Sequence, residues 1–320
     1  MKTYDFNEML AFKTPARVRA EISGISHYHI HSHKDCTEIL CVLHGHVTAY
    51  DFAISYELGP GEIHIFNSND PHKITSKDPD SIVLLIQIDK NRYLDSFSQL
   101  KTGYFVTHMI DSQWANYSEV RYLRFLLGKL YFEYIKIQPS DVALEETTKE
   151  LIQLLYDYFH DYAYYTLDGN GYMIIRRRNE GQPEEEYLRI YRIADFIEST
   201  VGQKITLDEV AEKEFLNKTY LSSIIKKNIG VTFSELVSIA RCSEVERLLA
   251  SSSHSIDQIA TDVGFANRGH LTKQFQKWYG VTPSQYRKQV LNDYKSKNVV
   301  NYHPFDKDYA ESIVRAYMNG

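Results

Sequence analysis

Ile256-Asp257-Gln258-Ile259-Ala260-Thr261-Asp262-Val263-Gly264-Phe265, followed by Leu271, Phe275 and Gly280-Val281-Thr282, repeats a pattern written once already, 49 to 50 residues earlier. Val210-Ala211 stands against Ile259-Ala260, Leu216 against Phe265, Leu221 against Leu271, Ile225 against Phe275, and Gly230-Val231-Thr232 against Gly280-Val281-Thr282. Self-similarity at a fixed interval means one supersecondary unit used twice. In each copy the apolar spacing predicts a short helix, a turn and a second helix ended by its glycine, the residue that best accepts a left-handed cap. Thr206 or Asp208 can cap a first helix ending near Lys213, and Ser255 or Asp257 one ending near Val263. Ala211 and Ala260 fall where the two helices cross, and a larger side chain there would push the axes apart. That is the geometry by which a helix-turn-helix presents its second helix to a major groove.

Charge points the same way. The chain carries a net −6, yet 187–296 holds 15 Lys or Arg against 12 Asp or Glu. No acidic residue occurs from Phe215 to Ser234, which contains Lys218, Lys226 and Lys227, nor from Gly264 to Asn292, which contains Arg268, Lys273, Lys277, Arg287 and Lys288. Carboxylates there would repel phosphate, so their absence is expected of surfaces that lie against a polyanion.

Ile256 to Ala260, Val263-Gly264-Phe265, Leu271, Phe275, Gly280-Val281-Thr282-Pro283-Ser284 and Tyr286-Arg287 resemble the C-terminal signature of the AraC/XylS family of bacterial transcriptional regulators, over about 188–290. The resemblance implies two helix-turn-helix units joined by a long helix, roughly Phe233 to Ser251, entering successive major-groove segments of double-stranded DNA. By motif position it places base reading on Thr219, Ser222 and Ser223 in the first unit and on Arg268, Gly269, Thr272 and Lys273 in the second. Arg268 and Lys273 can donate to guanine O6 and N7, while the hydroxyls are permissive and Gly269 offers close backbone approach. Lys226, Lys227, Lys277 and Arg287 suit phosphate. Ser223, where the family often has arginine, and Gly269 depart from the pattern. Leu221, Ile225, Leu271, Phe275 and Trp278 are expected in the core.

Nearer the N-terminus, Glu21 to Asp89 alternates apolar and polar residues between breaks at Gly24, Gly45, Gly59-Pro60-Gly61 and Asp70-Pro71, which predicts short strands in a small barrel or sandwich. Glu38 to Leu43 and Ser81 to Ile86 are expected as buried strands. His29, His31 and His33 alternate, so a strand would put all three on one face. His31-x-His33, Glu38, Gly45 and later His72 resemble the cupin motifs, and His31, His33, Glu38 and His72 match the positions that bind metal in metallated cupins. Asn67 stands where the second motif usually has proline. Three uses of these residues stay open: a divalent metal site, a His- and Tyr-lined pocket for an organic effector, and plain closure of the barrel. The resemblance favours the effector pocket without metal or other cofactor, and a carbohydrate is the expected effector.

From Tyr117 to about Tyr165 the period becomes helical on either side of Pro139; the long apolar stripe either packs on its own barrel or pairs with a second copy, and the family resemblance favours dimerisation. The charged run from Arg176 to Glu186 is expected as a linker. The expected layout is α+β: a sensing barrel over 1–116, a helical dimerisation region over 117–175, a linker over 176–186, tandem helix-turn-helix units over 187–292 and an extension of unassigned role over 293–320. Signal-peptide patterning and membrane-length apolar runs are absent, and Cys36, Cys41 and Cys242 form no disulfide or zinc spacing, which together predict a cytoplasmic protein. A Gly-rich phosphate loop, a Gly-x-Ser-x-Gly turn and a His-Glu-x-x-His helix are also absent. The expected function is therefore a homodimeric DNA-binding regulator, with RNA polymerase as a further partner, and not an enzyme. The competing reading is a metal-dependent cupin enzyme with a helical appendage.

Overall fold

The computed structural model describes residues 10–51, 54–68, 72–101, 105, 118–159, 162–164, 174–176, 184–296 and 301–319. The chain divides into two compact units, one of residues 6–160 with 293–320, the other of residues 161–292 with 1–5.

The first unit is a nearly closed antiparallel barrel covered by helices. Its strands are β1 (Val18–His31), β2 (Cys36–His44), β3 (Val47–Asp51), β4 (Ile54–Leu58), β5 (Ile63–Phe66), β6 (His72–Thr75) and β7 (Ile82–Asp89), in the spatial order β4-β3-β6-β1-β7-β2-β5. Strand alternation sorts the side chains onto two faces. Leu40 and Val42 of β2, Val83 and Leu85 of β7, Ile74 of β6 and Leu58 of β4 point into the barrel. Ile39, Cys41 and Leu43, with Ile82, Leu84, Ile86 and Ile88, point outward into a second core. The central strands β2 and β7 are buried on both faces, as their unbroken apolar runs predict.

The outer core is completed by α1 (Ser118–Tyr134) and α2 (Asp141–Leu154), the latter capped by Ser140. Val120, Leu123, Leu127, Leu130 and Leu151 are all buried against the barrel. The stripe expected to seek a partner helix is thus covered within the unit, because the barrel's outward face is itself apolar and large enough to take it. A short β8 (Tyr162–Tyr164) pairs with β9 (Ile174–Arg176). Of the expected linker, Arg176 ends β9, Glu184 already begins a helix, and 177–183 lies outside the described residues.

The second unit holds the β8–β9 pair and is otherwise helical: α3 (Glu184–Ser199), α4 (Leu207–Lys213), α5 (Lys218–Ile229), α6 (Phe233–Ser251), α7 (Ile256–Asp262), α8 (Arg268–Tyr279) and α9 (Pro283–Ser296). Leu221, Ile225, Leu271, Phe275 and Trp278 are buried as expected. Residues 301–319 belong to the barrel unit. They form β10 (Asn301–His303) and α10 (Lys307–Asn319), which pack on β1 and α1 of the barrel unit. No described helix is long and apolar enough to cross a membrane.

Candidate functional site

The two helix-turn-helix copies are built by the same local chemistry. Thr206 opens α4 with a reciprocal capping box to Glu209, and Ser255 accepts from the Gln258 amide to open α7. Each second helix starts on an asparagine: Asn217 accepts from the Tyr220 amide, and Asn267 from the His270 amide. Each ends on a glycine in the left-handed region, Gly230 at φ 86° and Gly280 at φ 71°. Thr232 then opens α6 with a second capping box, to Glu235. α6 thereby spans the interval the family resemblance assigned to the connecting helix.

Burial separates the faces of α5 and α8. Leu221, Ile224 and Ile225 on one, and Leu271, Phe275 and Trp278 on the other, face inward. Thr219, Ser222, Ser223, Lys226 and Lys227 are exposed on α5, as are Arg268, Gly269, Lys273 and Lys277 on α8, with Thr272 half-buried. Arg268, Gly269, Thr272, Lys273, Gln276 and Lys277 line one open hollow along α8. Arg268 meets Asp257 at 3.4 Å in an exposed pair, weak enough to be exchanged for a stronger anion.

Other basic groups have intramolecular duties. Lys226 donates to the Gly230 carbonyl at 2.7 Å, closing its own helix. Lys277 pairs with Glu235 at 2.9 Å and lies over the Trp278 ring. Arg287, expected as a phosphate ligand, is half-buried and donates to the carbonyls of His254 at 2.6 Å and Leu249 at 3.3 Å. These bonds tie the C-terminal end of α6 to the loop that follows it. Motif position assigns Lys218 no role, although the 50-residue offset places it opposite Arg268. It is the first residue of α5, largely exposed, and pairs with Asp208 as Arg268 pairs with Asp257.

In the barrel, His31, His33, Glu38 and His72 converge, all buried, with one ligand atom from each lying within 4.8 Å of the others. Cross-strand register assembles them: His31 stands opposite His72, and Glu38 opposite both Gln87 and Phe66. Simple alternation along one strand does not. The register of β1 shifts between Ile25 and His27 and again between Tyr28 and His31, which turns Tyr28 and His31 to the interior. β1 ends at His31, and His29, expected on the same face, is outside the four-residue group.

Glu38 Oε2 is 2.9 Å from His33 Nε2 and accepts from Gln87 Nε2 at 2.5 Å, while Oε1 lies 3.5 Å from His72 Nε2. Burial pushes this carboxyl up, but the hydrogen bonds from His33 and His72 outweigh it and hold it well below the usual range. Burial, with His72 alongside, pushes His31 well below its ordinary value, toward the neutral imidazole. Three imidazoles and one carboxylate, buried and convergent, fit a first-row divalent cation. Asn67, in place of the usual proline, exchanges two hydrogen bonds with the Phe105 main chain, at 2.8 and 3.0 Å, as a neighbouring strand would.

Residues 210–289 match a family model described as a helix-turn-helix domain. The uncharacterized HTH-type transcriptional regulator YtdP of Bacillus subtilis is 36% identical over 97 residues, 30% of this chain and 13% of that protein. The melibiose operon regulatory protein of Escherichia coli is 30% identical over 99 residues, 31% of this chain and 33% of that protein. The chain spans between 13% and 37% of the length of these and the other first curated relatives. Among solved structures, ToxT of Vibrio cholerae is a distant likeness, 16% identical at a TM-score of 0.43, covering 86% of this chain and 98% of that one.

Proposed function

We propose that this chain, which carries a C-terminal helix-turn-helix domain of the AraC/XylS family, is a sequence-specific DNA-binding transcriptional regulator with an effector site in its barrel. One observation supports it most: α5 and α8 are capped alike, exposed on one face, free of acidic residues there and joined by a single long helix. In this reading Arg268 and Lys273 read bases, with Thr219, Ser222, Ser223, Gly269 and Thr272 in close approach. Lys218, Lys226, Lys227 and Lys277 hold phosphate, exchanging their present partners for it.

The barrel cluster is the proposed effector site. His31, His33, Glu38 and His72 would hold a divalent cation there. Such an ion supplies a Lewis-acidic point for the oxygens of an organic effector. A carbohydrate is the class we propose, because His64 and Gln87 add buried polar groups to the barrel strands beside the cluster. The relatives' names lend no weight to it, since each match covers about a third of this chain. Homodimerisation would use the exposed α1–α2 edge, where Ile137 and Val142 stand in solvent, and RNA polymerase is the further partner.

The test is selection of a duplex on the full chain, followed by footprinting across a salt series. Protection of two successive major-groove segments, with affinity falling steeply as salt rises, is expected. Binding that ignores salt would overturn the reading. Turnover of candidate substrates by the zinc-loaded chain would favour the enzyme alternative.

A further inference from the structure

Within the barrel unit a row of polar side chains reaches the buried cluster from solvent. Val18, Ala20 and Ile22 of β1 lie in the outer core, so the alternation of the strand turns Arg19, Glu21 and Ser23 to the other side. Cross-strand register extends the row: Arg19 stands opposite Gln87 of β7, and Gln87 opposite Glu38 of β2. Residues directly opposite one another share a face, so the three side chains lie next to each other.

Hydrogen bonds join them in order. Ser23 Oγ donates to Glu21 at 3.0 Å, and Glu21 pairs with Arg19. Arg19 Nη1 donates to Gln87 Oε1 at 3.1 Å, and Gln87 Nε2 donates to Glu38 Oε2 at 2.5 Å. Exposure falls along the row: Glu21 and Arg19 are 38% and 32% exposed, while Gln87 and Glu38 are buried.

A carboxamide has two ends of nearly equal shape and opposite character, one donating and one accepting. Glu38 can use only the donating end, because a carbonyl turned toward a carboxylate oxygen is repelled by it. His33 Nε2, 3.4 Å from Gln87 Nε2, does not choose between the ends, since a ring nitrogen donates or accepts according to its tautomer. A guanidinium only donates. Arg19 therefore takes the carbonyl end of Gln87 and leaves the amino end for Glu38. Its loss would deprive a buried carbonyl of its donor, a penalty large enough to turn the amide toward another partner. We propose that Arg19 is a positioning residue of the barrel cluster: acting through Gln87, it holds the Glu38 carboxylate in place among His31, His33 and His72, ready for a divalent cation. This inference rests on the cation reading of the cluster given above.

Charge and position predict opposite signs. A guanidinium near a divalent ion repels it, so by Coulomb's law alone the loss of Arg19 would tighten cation binding. Loss of a group that orients the partner of a metal ligand weakens it.

Arg19→Met on the full chain keeps the apolar stem and removes the donors, with zinc as the probe and affinity read by competition with a chromogenic chelator. Zinc binding should weaken about fivefold, and in a Gln87→Leu background Arg19→Met should weaken it no further. Unchanged or tighter binding in the single variant, or the same fivefold loss in the double variant, overturns the proposal. The zinc-free chain gives a second readout. The Gln87 side-chain amide resonances, identified by their loss in Gln87→Leu, should exchange with solvent about tenfold faster in Arg19→Met than in the wild type. Exchange at the wild-type rate overturns the positioning role. Arg17→Met is the control, because the Arg17–Asp89 pair also ties the start of β1 to the end of β7, and its bonds go to Asp89 rather than to Gln87. It should leave both readouts unchanged; equal effects there would mean general loosening of the strand pair and overturn the proposal. If the wild-type chain binds no zinc, the cation reading falls, and the amide exchange still decides whether Arg19 orients Gln87 toward Glu38.

Discussion

Lys277 Nζ lies 2.9 Å from Glu235 Oε1, joining the last turn of α8 to the first turn of α6. Glu235 also accepts from the Thr232 amide and hydroxyl, each at 2.9 Å. One carboxylate therefore starts α6 and holds α8 against it. The connection explains how α6 can set the placement of α8 through a polar contact at the edge of an apolar core.

Hydrogen bonding from the Thr232 amide, and then from Lys277, holds the Glu235 carboxyl down to about 2. Its unfolded value is about 4.3, so the stability it confers is present above that pH and is lost as pH falls toward 2. Urea melts at about pH 5 and pH 3 should show a smaller acid-induced loss in Glu235→Gln than in the wild type, with the variant about 1 kcal/mol less stable at neutral pH. The figure is kept small because the side chain is a third exposed. Equal acid losses would show the pair to be idle.

Arg268→Ala and Lys273→Ala should each cost about 1 to 3 kcal/mol on a selected duplex and relax preference at one base pair. Lys218→Ala should weaken binding to all duplexes alike and reduce the salt slope by about 1. Arg287→Ala should lower the melting temperature with little change in that slope, since its donors serve α6. Competition binding across a set of single-base variants separates these outcomes.

Phe215 sits at φ 56° in the turn of the first unit and is 95% exposed. The matching turn residue of the second unit is Gly264, at φ 79°, where a Cβ would meet the Arg241 guanidinium at 3.1 Å. A left-handed conformation costs a residue with a Cβ about 1 kcal/mol, and nothing packs on Phe215 to offset it. Phe215→Gly is expected to stabilise the helical domain by about 0.5 kcal/mol after its extra unfolded-state freedom is counted. Calorimetry showing a loss would mean that the phenyl ring makes a contact in solution.

Zinc added to the full chain should bind one ion per barrel and raise the melting temperature, by about 2.7 kcal/mol of stabilisation at a hundredfold excess over Kd. His72→Ala should abolish that gain. Gln87→Leu removes the donor to Glu38 Oε2 and should weaken binding about tenfold. Equilibrium dialysis with no retained zinc would remove the cation from the proposal and leave the DNA-binding domain untouched.

The repeated half of the molecule is the more legible in the amino-acid order. Its information is local: caps such as Thr206 and Ser255, glycines at helix ends, and an apolar period of three to four residues act within a few positions of one another. The N-terminal strands were legible as strands, and the four barrel residues as a set, from a motif. Tertiary structure decided the rest. Two register shifts in β1, one made against β6 some forty residues away and one against β10 some 275 residues away, determine which histidines face inward and leave His29 out. The carbonyls of Leu249 and His254 that Arg287 serves are brought to it only by the packing of α9 against the end of α6. The docking of residues 301–319 onto Gly24 and Gly128 has no trace in any short window. Pairing and close packing between distant segments depend on which surfaces the whole chain leaves uncovered, and only the folded chain specifies them.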